Sequence, residues 1–284
     1  MQMSPFIDIY LKYLQSLERS KKTIEGYKYD LFFFSNWLES RYNGPCYIED
    51  IVVSDVEAFL TMLKTERHYK PASRRRLVAT LNMLYRFAVK KGYCDRNIID
   101  QLEPIKVTAK ERDYFNEEEV LFFVKNVKHK LCQIAIYIMF YAGLRISECV
   151  HLKVDHVDLE RRRLRVVAGK GNKDRTIPIC DKLYLILLDY EKWRFESDYY
   201  LATSKSGQFS KVRLSAIIKE TRERLNLEKH VTAHTFRHSF ASRLVSKDVN
   251  IVSISKLLGH SDVKVTSIYT HTDIDRLEAD INRL

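Results

Sequence analysis

The sequence predicts a mainly α-helical protein of two domains, the second of which carries one small antiparallel sheet. In the first hundred residues, apolar positions recur at helical spacing and are interrupted only by turn residues. The charged stretch 103–115 has little apolar periodicity, as is usual for an exposed linker. Three short alternating segments further along are typical of strands. We therefore predict a helical domain at 1–103, a linker at 104–115 and a mostly helical second domain at 116–284.

Four helices are predicted in the first domain, each from a start signal as well as from its periodicity. The start signals, in chain order, are Ser4 with Pro5, Thr23, the capping box of Ser54 and Glu57, and Pro71. The fourth helix should stop at Gly92, because glycine readily adopts the left-handed backbone that follows a helix end. Four helices in so short a stretch form a compact bundle.

The second domain begins with a capping box of Asn116 and Glu119. The run LCQIAIYIMFYAGL (131–144) is too short for the roughly 18 residues that a membrane span needs. It predicts a buried helix that ends at Gly143. The segments HLKVDHVDL, RRRLRVVA and DRTIPI then predict three short antiparallel strands, with the polar loop 169–173 between the last two.

The composition limits the class of partner and the compartment. The net charge of +11 favours a polyanion, although many proteins carry positive charge only for solubility. The five cysteines are scattered and form no CxxC pair, so neither a disulfide framework nor a zinc site is predicted. The first residues, MQMSPFIDIY, do not resemble a secretion signal. We expect a soluble cytoplasmic protein without membrane contact.

Two short motifs in the second domain place an arginine three residues from another polar group. In AGLRISE, Arg145 and Glu148 are either a simple ion pair or a phosphate-binding guanidinium held in place by a carboxylate. In AHTFRH, His234 and Arg237 share one face of a predicted helix, and a surface pair is the plainer alternative. Neither motif is specific by itself.

Two further motifs carry a lysine and a tyrosine. Lys170 lies between glycines in the loop GKGNKDR, where it is either solvated or able to reach a leaving oxygen. In LLGHSDVKVTSIYTH, Tyr269 follows His260 by nine residues and is either a core tyrosine or a nucleophile.

Together, these side chains match the needs of metal-free phosphodiester cleavage. Attack on the phosphorus builds negative charge on the nonbridging oxygens, which fixed cationic donors stabilise. A tyrosine hydroxyl, with a pKa of about 10, must lose its proton, and the departing 5′ oxygen needs a general acid. A phosphotyrosine keeps the bond energy, so no ATP is required. With no P-loop or acidic metal cluster in the sequence, we expect no cofactor and no metal.

In this order, AGLRISE, GKGNKDRTIPI, HTFRHSFAS and LLGHSDVKVTSIYTH closely resemble the tyrosine recombinases, the phage-integrase and Xer family. KKTIEGYKYDLFFFSNWL and RRRLVATLNMLYRFAVKKGY resemble that family's core-binding domain, so the match extends over nearly the whole chain. The resemblance implies a C-shaped clamp on DNA, with an N-terminal four-helix SAM-like domain and a catalytic domain. It also implies the site residues: Arg145 and Arg237 as catalytic arginines, Lys170 as hairpin lysine, His234 and His260 as site histidines, Tyr269 as nucleophile and Glu148 as supporting acid.

The resemblance further implies double-stranded DNA with paired inverted half-sites, bound by a homotetramer in the synaptic complex. The basic clusters Lys21-Lys22 and Arg74-Arg75-Arg76 would then lie near phosphates, although any one of them is as readily a solvated side chain. The tail 273–284 predicts a short amphipathic helix, which either packs on its own domain or is donated to the next protomer.

Several biological roles use this chemistry. No N-terminal arm-binding domain is expected, which favours a simple recombinase: a resolver of chromosome or plasmid dimers, or a resolvase carried by a transposon that resolves cointegrates. Integration or excision of a mobile element is a further role with this chemistry. A type IB topoisomerase, which reseals the same strand, is one alternative. A DNA-binding regulator with a vestigial site is the other.

Overall fold

The computed structural model describes residues 1–108, 113–167 and 174–259, and the chain divides into two compact units, Met1–Lys110 and Glu111–Leu284. In the described part of the first unit, the helices are α1 (Met3–Ser16), α2 (Lys21–Tyr42), α3 (Val53–Thr65) and α4 (Pro71–Lys90). In that of the second, they are α5 (Glu117–Lys125), α6 (Lys130–Ala142), α7 (Ile146–Val150), α8 (Asp181–Glu191), α9 (Lys211–Arg224), α10 (Ala233–Ser246) and α11 (Ile251–Leu258). The strands are β1 (Val157–Asp158), β2 (Arg163–Val166) and β3 (Arg175–Pro178). The predicted mainly helical fold with a small sheet is confirmed.

The first unit is a four-helix bundle around its own apolar core. α1 packs on α2 and α4, and α2 also packs on α3. Phe6, Leu31, Phe34, Phe59 and Leu84 are fully buried at its centre. Burying a side chain of this kind stabilises the fold by about 1.5–3 kcal/mol.

The first two helices begin before the predicted residues. α1 begins at Met3 with Gln2 as its N-cap, rather than with the predicted cap Ser4, and Met3 N donates to Cys46 O at 2.8 Å. The cap of α2 is Ser20 rather than Thr23, and Ser20 Oγ accepts a hydrogen bond from Thr23 N at 3.1 Å. The prediction for α2 overlooked Ser20 as a side-chain cap, whereas the N-cap of α1, Gln2, makes no side-chain cap hydrogen bond that the sequence could have signalled.

The third helix is capped by a different carboxylate, while the end of the fourth is as predicted. Asp55 Oδ2 accepts from Val52 N at 3.1 Å, so the capping box predicted from Ser54 and Glu57 is wrong. The N-cap is Val52, two residues before the predicted Ser54, and the third residue of the helix reaches back to it. Gly92 follows α4 with a φ of +75°, in the left-handed region.

The central element of the second unit is α6, which is buried along most of its surface. It packs on α10 along its length and also contacts α5, α7, α8 and α9. Gly143 ends it with a φ of +67°, as predicted. No helix in the described ranges combines the length and apolar character needed to cross a bilayer.

The start of α5 confirms the predicted capping box. Asn116 N donates to Glu119 Oε2 at 2.8 Å, and Glu119 N donates to Asn116 Oδ1 at the same distance. Phe115, the last residue of the expected linker, is buried, and its N–H donates to Ser239 Oγ at 2.8 Å. The chain is therefore fixed to α10 just before α5 begins.

The sheet has the order β1-β2-β3 with antiparallel neighbours, as predicted. β1 has only two residues because the preceding residues 154–156 form a 3₁₀ turn. Leu164 of β2 lies opposite Ile177 of β3, and both are buried. β3 also packs against α11, which brings the sheet to the end of that helix.

Candidate active site

The site is organised around the carboxylate of Glu148, at the third position of α7. Arg145 immediately precedes this helix, and its N–H donates to Glu148 Oε2 at 2.8 Å. Arg145 Nη1 donates to Glu148 Oε1 at 2.7 Å. The predicted ion pair is therefore present, and the same carboxylate caps α7 and holds the guanidinium.

A second arginine, which the sequence interpretation missed, binds the other side of this carboxylate. Arg175, the first residue of β3, donates from Nη1 to Glu148 Oε1 at 3.0 Å and from Nη2 to Glu148 Oε2 at 2.7 Å. Its Nε donates to Leu257 O, near the end of α11, at 2.7 Å. One guanidinium thus links α7, the sheet and α11.

The third arginine comes from α10 and is almost fully buried. Arg237 Nη1 lies 3.7 Å from Glu148 Oε2, and its side chain is only 5% exposed. Its Nη1 also donates to Gly143 O, and its Nη2 to Leu258 O, both at 2.6 Å. These carbonyls lie at the C-terminal ends of α6 and α11, where the helix dipole favours a cation.

The charges of these four side chains sum to +2, from three guanidinium groups and one carboxylate. Burial raises the pKa of Glu148, but hydrogen bonds from Arg175 and Arg145 outweigh it and lower that pKa to about 2. The carboxylate is therefore ionised at neutral pH. Arg145 is the most exposed of the three arginines at 29%, against 7% for Arg175.

Two glycines allow the helix ends to approach the arginines. Gly259 has a φ of +65°, and an added Cβ would lie 2.9 Å from Arg175 Nη1. Its carbonyl accepts from Arg145 Nη2 at 3.3 Å. An added Cβ on Gly143 would lie 2.7 Å from Phe240 Cε1. Larger residues at these two positions would push the α6 and α11 ends away from the cluster.

The structure thus brings three of the predicted site residues together: Arg145, Glu148 and Arg237. His234 is exposed on the first turn of α10, one turn before Arg237. The predicted Lys170, His260 and Tyr269 lie outside the described residues.

The sequence held a signal for the missed arginine. Arg175, Ile177 and Ile179 alternate, so they share one face of a strand, and the two isoleucines are buried. An arginine on the buried face of a strand needs a carboxylate partner. Alternation therefore indicates that Arg175 points inward, but not which carboxylate it meets.

The predicted DNA-binding clusters of the first unit differ in their surroundings. Lys21, Lys22, Arg75 and Arg76 are exposed, and Arg74 is half-buried. Arg76 binds the buried carboxylate of Asp30, with Nη2 at 2.8 Å from Oδ1. Its charge therefore serves the bundle itself, which distinguishes it from its neighbours.

The family comparisons agree on both units. Residues 7–92 match the model "Phage integrase, N-terminal SAM-like domain", and residues 113–276 match "Phage integrase family". A tyrosine recombinase of Thermosipho africanus is 32% identical over 98% of this chain and 99% of its own. Tyrosine recombinase XerC of Oceanobacillus iheyensis is 30% identical over 97% of this chain and 94% of its own.

Two solved structures with a similar fold are integrases bound to DNA. The Tn1549 transposon integrase with a circular intermediate DNA superposes with a TM-score of 0.84 at 20% identity, covering 98% of this chain and 99% of that one. A lambda integrase dimer bound to a COC′ core site gives 0.79 at 21%, covering 96% and 98%. The recombinase relatives extend over the whole chain, which favours strand exchange over the topoisomerase and regulator alternatives. The chain therefore belongs to the phage integrase family, and it is a tyrosine recombinase, an enzyme that cleaves and rejoins DNA strands.

Proposed function

We propose that two of the arginines around Glu148, Arg145 and Arg237, bind the phosphate that this recombinase cleaves. The observation that supports this is the convergence of Arg145 and Arg237 on one ionised carboxylate. Fixed guanidinium groups stabilise the charge that develops on nonbridging oxygens without having to reorient during the reaction. The Arg145 side chain is half-buried, so its guanidinium is the more accessible of the two to a phosphate. The Arg237 guanidinium would bind the phosphate from the interior of the second unit.

The remaining roles fall to side chains known here from the sequence alone, apart from His234. The Tyr269 oxygen attacks phosphorus, and the bond from phosphorus to the 5′ oxygen breaks. The products are a 3′-phosphotyrosine and a free 5′ hydroxyl, which takes its proton from Lys170. His234 and His260 assist by sharing the tyrosine proton and contacting the phosphate. A 5′ hydroxyl of a second DNA strand then reverses the step and releases Tyr269.

We propose that the DNA carries paired inverted half-sites and that four copies of the chain act together. Lys21, Lys22 and Arg75 are exposed and suited to phosphate contacts, which position the protein but read no sequence. Lys21 and Lys22 lie at the start of α2, where the helix dipole disfavours positive charge. A DNA phosphate bound beside them would offset that unfavourable interaction. The tail 273–284, with Ile274, Leu277, Ile281 and Leu284 at helical spacing, would join neighbouring copies.

The direct test of this chemistry is Tyr269→Phe. The variant lacks the attacking oxygen, so it should bind DNA as tightly as wild type and form no covalent adduct. Adducts are trapped on a nicked half-site and separated on a denaturing gel. Tyr29→Phe, at an exposed tyrosine of the first unit, is the control and should form the wild-type amount. A normal adduct level in Tyr269→Phe would refute the assignment.

A second test concerns the general acid. Lys170→Ala should cleave ordinary DNA slowly, because the 5′ oxygen then departs without a proton. A 5′ sulfur departs without protonation, so a substrate with that replacement should be cleaved at nearly the wild-type rate. Lys173→Ala changes the same loop and should leave both rates unchanged. If Lys170→Ala is equally impaired on both substrates, this lysine binds DNA and is not the acid.

The biological outcome depends on where the cleaved sites lie. Resolution of DNA dimers, resolution of transposon cointegrates, and integration or excision of a mobile element all use this strand exchange. The similarity of the fold to the Tn1549 transposon integrase supports a role on a mobile element. The similarity of the sequence to relatives named tyrosine recombinase XerC supports instead the role of a Xer-type recombinase. Sequencing the DNA ends of adducts trapped on genomic fragments distinguishes these roles, because a single chromosomal site and the ends of an element differ in copy number and context.

A further inference from the structure

Arg175 joins three parts of the second unit: α7, the sheet and the end of α11. Its Nη1 and Nη2 bind both oxygens of Glu148, and its Nε binds Leu257 O. In the sequence, Arg175 follows Lys170 by five residues, and Leu257 precedes His260 by three. The same guanidinium therefore binds the chain at Leu257, three residues before His260, and belongs to the strand that follows the loop of Lys170 in the sequence.

Its burial separates the role of Arg175 from that of Arg145. The Arg175 side chain is 7% exposed, and each of its three nitrogens donates to a protein oxygen. Arg145 shares Glu148 Oε1 with Arg175, at 2.7 Å and 3.0 Å respectively. A shift of Arg175 would therefore move the carboxylate that orients Arg145.

We propose that Arg175 is a positioning residue for phosphate binding: it fixes the Glu148 carboxylate and the end of α11, and so sets the orientation of the Arg145 guanidinium. This rests on the proposed function, in which Arg145 contacts the phosphate. Both carboxylate oxygens and the Leu257 carbonyl must be reached at once, and only a planar fork of donors does this. Lysine retains the charge but has one nitrogen and cannot reproduce the geometry.

The test is Arg175→Lys, with Arg165→Lys as the matched control. Arg165 lies on the neighbouring strand, its side chain is 62% exposed, and it pairs with Asp174 at 3.2 Å. Single-turnover cleavage is measured at saturating protein, together with half-site affinity and the midpoint of thermal unfolding. We expect Arg175→Lys to slow cleavage by about 100-fold, since small displacements of reacting groups have effects of that order. Half-site affinity should stay at the wild-type value, the unfolding midpoint should fall but remain well above the assay temperature, and Arg165→Lys should match wild type throughout.

A second substrate separates positioning of a charge-stabilising group from a general structural defect. In a methylphosphonate, a methyl group replaces one nonbridging oxygen, so the phosphorus centre is neutral and depends less on the arginines. The defects of Arg145→Ala and Arg175→Lys should both become much smaller on this substrate. A merely structural loss would lower cleavage of both substrates equally.

Wild-type cleavage by Arg175→Lys, or an equal loss on both substrates, would overturn this inference. So would a lowered unfolding midpoint that accounts for the lost activity. If the wild-type chain forms no covalent adduct, the proposed function itself fails, and this inference fails with it. If Arg145→Ala cleaves normally while wild type forms adducts, the assigned phosphate contact is wrong although the recombinase chemistry stands.

Discussion

Two buried carboxylates of this protein, one in each unit, hold arginines in different ways. In the first unit, Asp30 binds one arginine, Arg76, whose side chain is 57% exposed, and Thr80 Oγ1 also donates to Asp30 at 3.1 Å. In the second unit, three guanidinium groups surround Glu148, and two of them are almost fully buried. The first arrangement is a neutral pair, and the second has a formal charge of +2.

The difference shows how a structural ion pair can be told from a binding site. A neutral pair satisfies its own charges and fastens α2 to α4. A buried cluster with several cations costs free energy through repulsion and desolvation. Here carbonyl oxygens at the ends of α6 and α11 partly offset that cost, because helix C-termini favour positive charge. Such an arrangement suits an anionic ligand that completes the charge balance.

The largest expected effect comes from removing each carboxylate in turn. Glu148→Gln leaves three guanidinium groups without their shared anion, and the free energy of unfolding of the second unit should fall by about 3–5 kcal/mol. Asp30→Asn should cost about 1 kcal/mol, because Arg76 can turn to water. Native-state hydrogen exchange reports the free energy of unfolding of each unit separately.

Glu191→Gln is the control for the second unit. Glu191 pairs with Arg194 at 2.7 Å near the surface, and its loss should change stability by less than about 1 kcal/mol. Equal costs for Glu148→Gln and Asp30→Asn would contradict the distinction between the two carboxylates.

The next effect is the pH dependence that Glu148 gives to the second unit. The pKa of Glu148 is lowered from 4.5 to about 2 in the folded chain. The ionised carboxylate therefore contributes its full stabilisation at pH values above the pKa that Glu148 has in the unfolded chain. That contribution, about 3 kcal/mol, is lost as the pH falls from about 5 to about 2. The difference in unfolding free energy between wild type and Glu148→Gln should therefore shrink on acidification over this range. A difference that stays constant would show that Glu148 is not held as an anion.

The smallest effect compares two glycines with positive φ, one per unit. Gly92→Ala meets no atom within 4 Å and should cost only the backbone strain, about 1 kcal/mol. Gly143→Ala has similar strain but also presses on Phe240, so an additional cost of about 1–3 kcal/mol is expected. It should also slow cleavage, because Gly143 O accepts from Arg237. Chemical denaturation gives the free energy of unfolding of both variants. Equal losses of stability would show that α10 shifts easily at Phe240 to make room for the added methyl group.

Much of the fold could be predicted because its signals are local. The helical spacing and glycine ends lie within single elements, and the spacing of three between Arg145 and Glu148 already favoured a pair. The capping errors were local too, since each observed cap lies within three residues of the predicted one.

The contacts of Arg175 and Arg76 could not be read in the same way. Arg175 and its two partners come from β3, α7 and α11, which are far apart in sequence. Asp30 lies between Tyr27 and Phe34 at helical spacing, so its burial had a sequence signal, but its partner 46 residues away had none. Both contacts arise only once the elements have packed.

The double use of Glu148 as helix cap and arginine ligand has a consequence for how the enzyme loses activity. α7 has five residues, far fewer than a helix needs to persist without outside support. Opening of this turn withdraws the cap and releases the Arg145 guanidinium in the same event. The helix cap and the orientation of Arg145 are therefore lost together, and on heating the activity should fall in step with the opening of this turn.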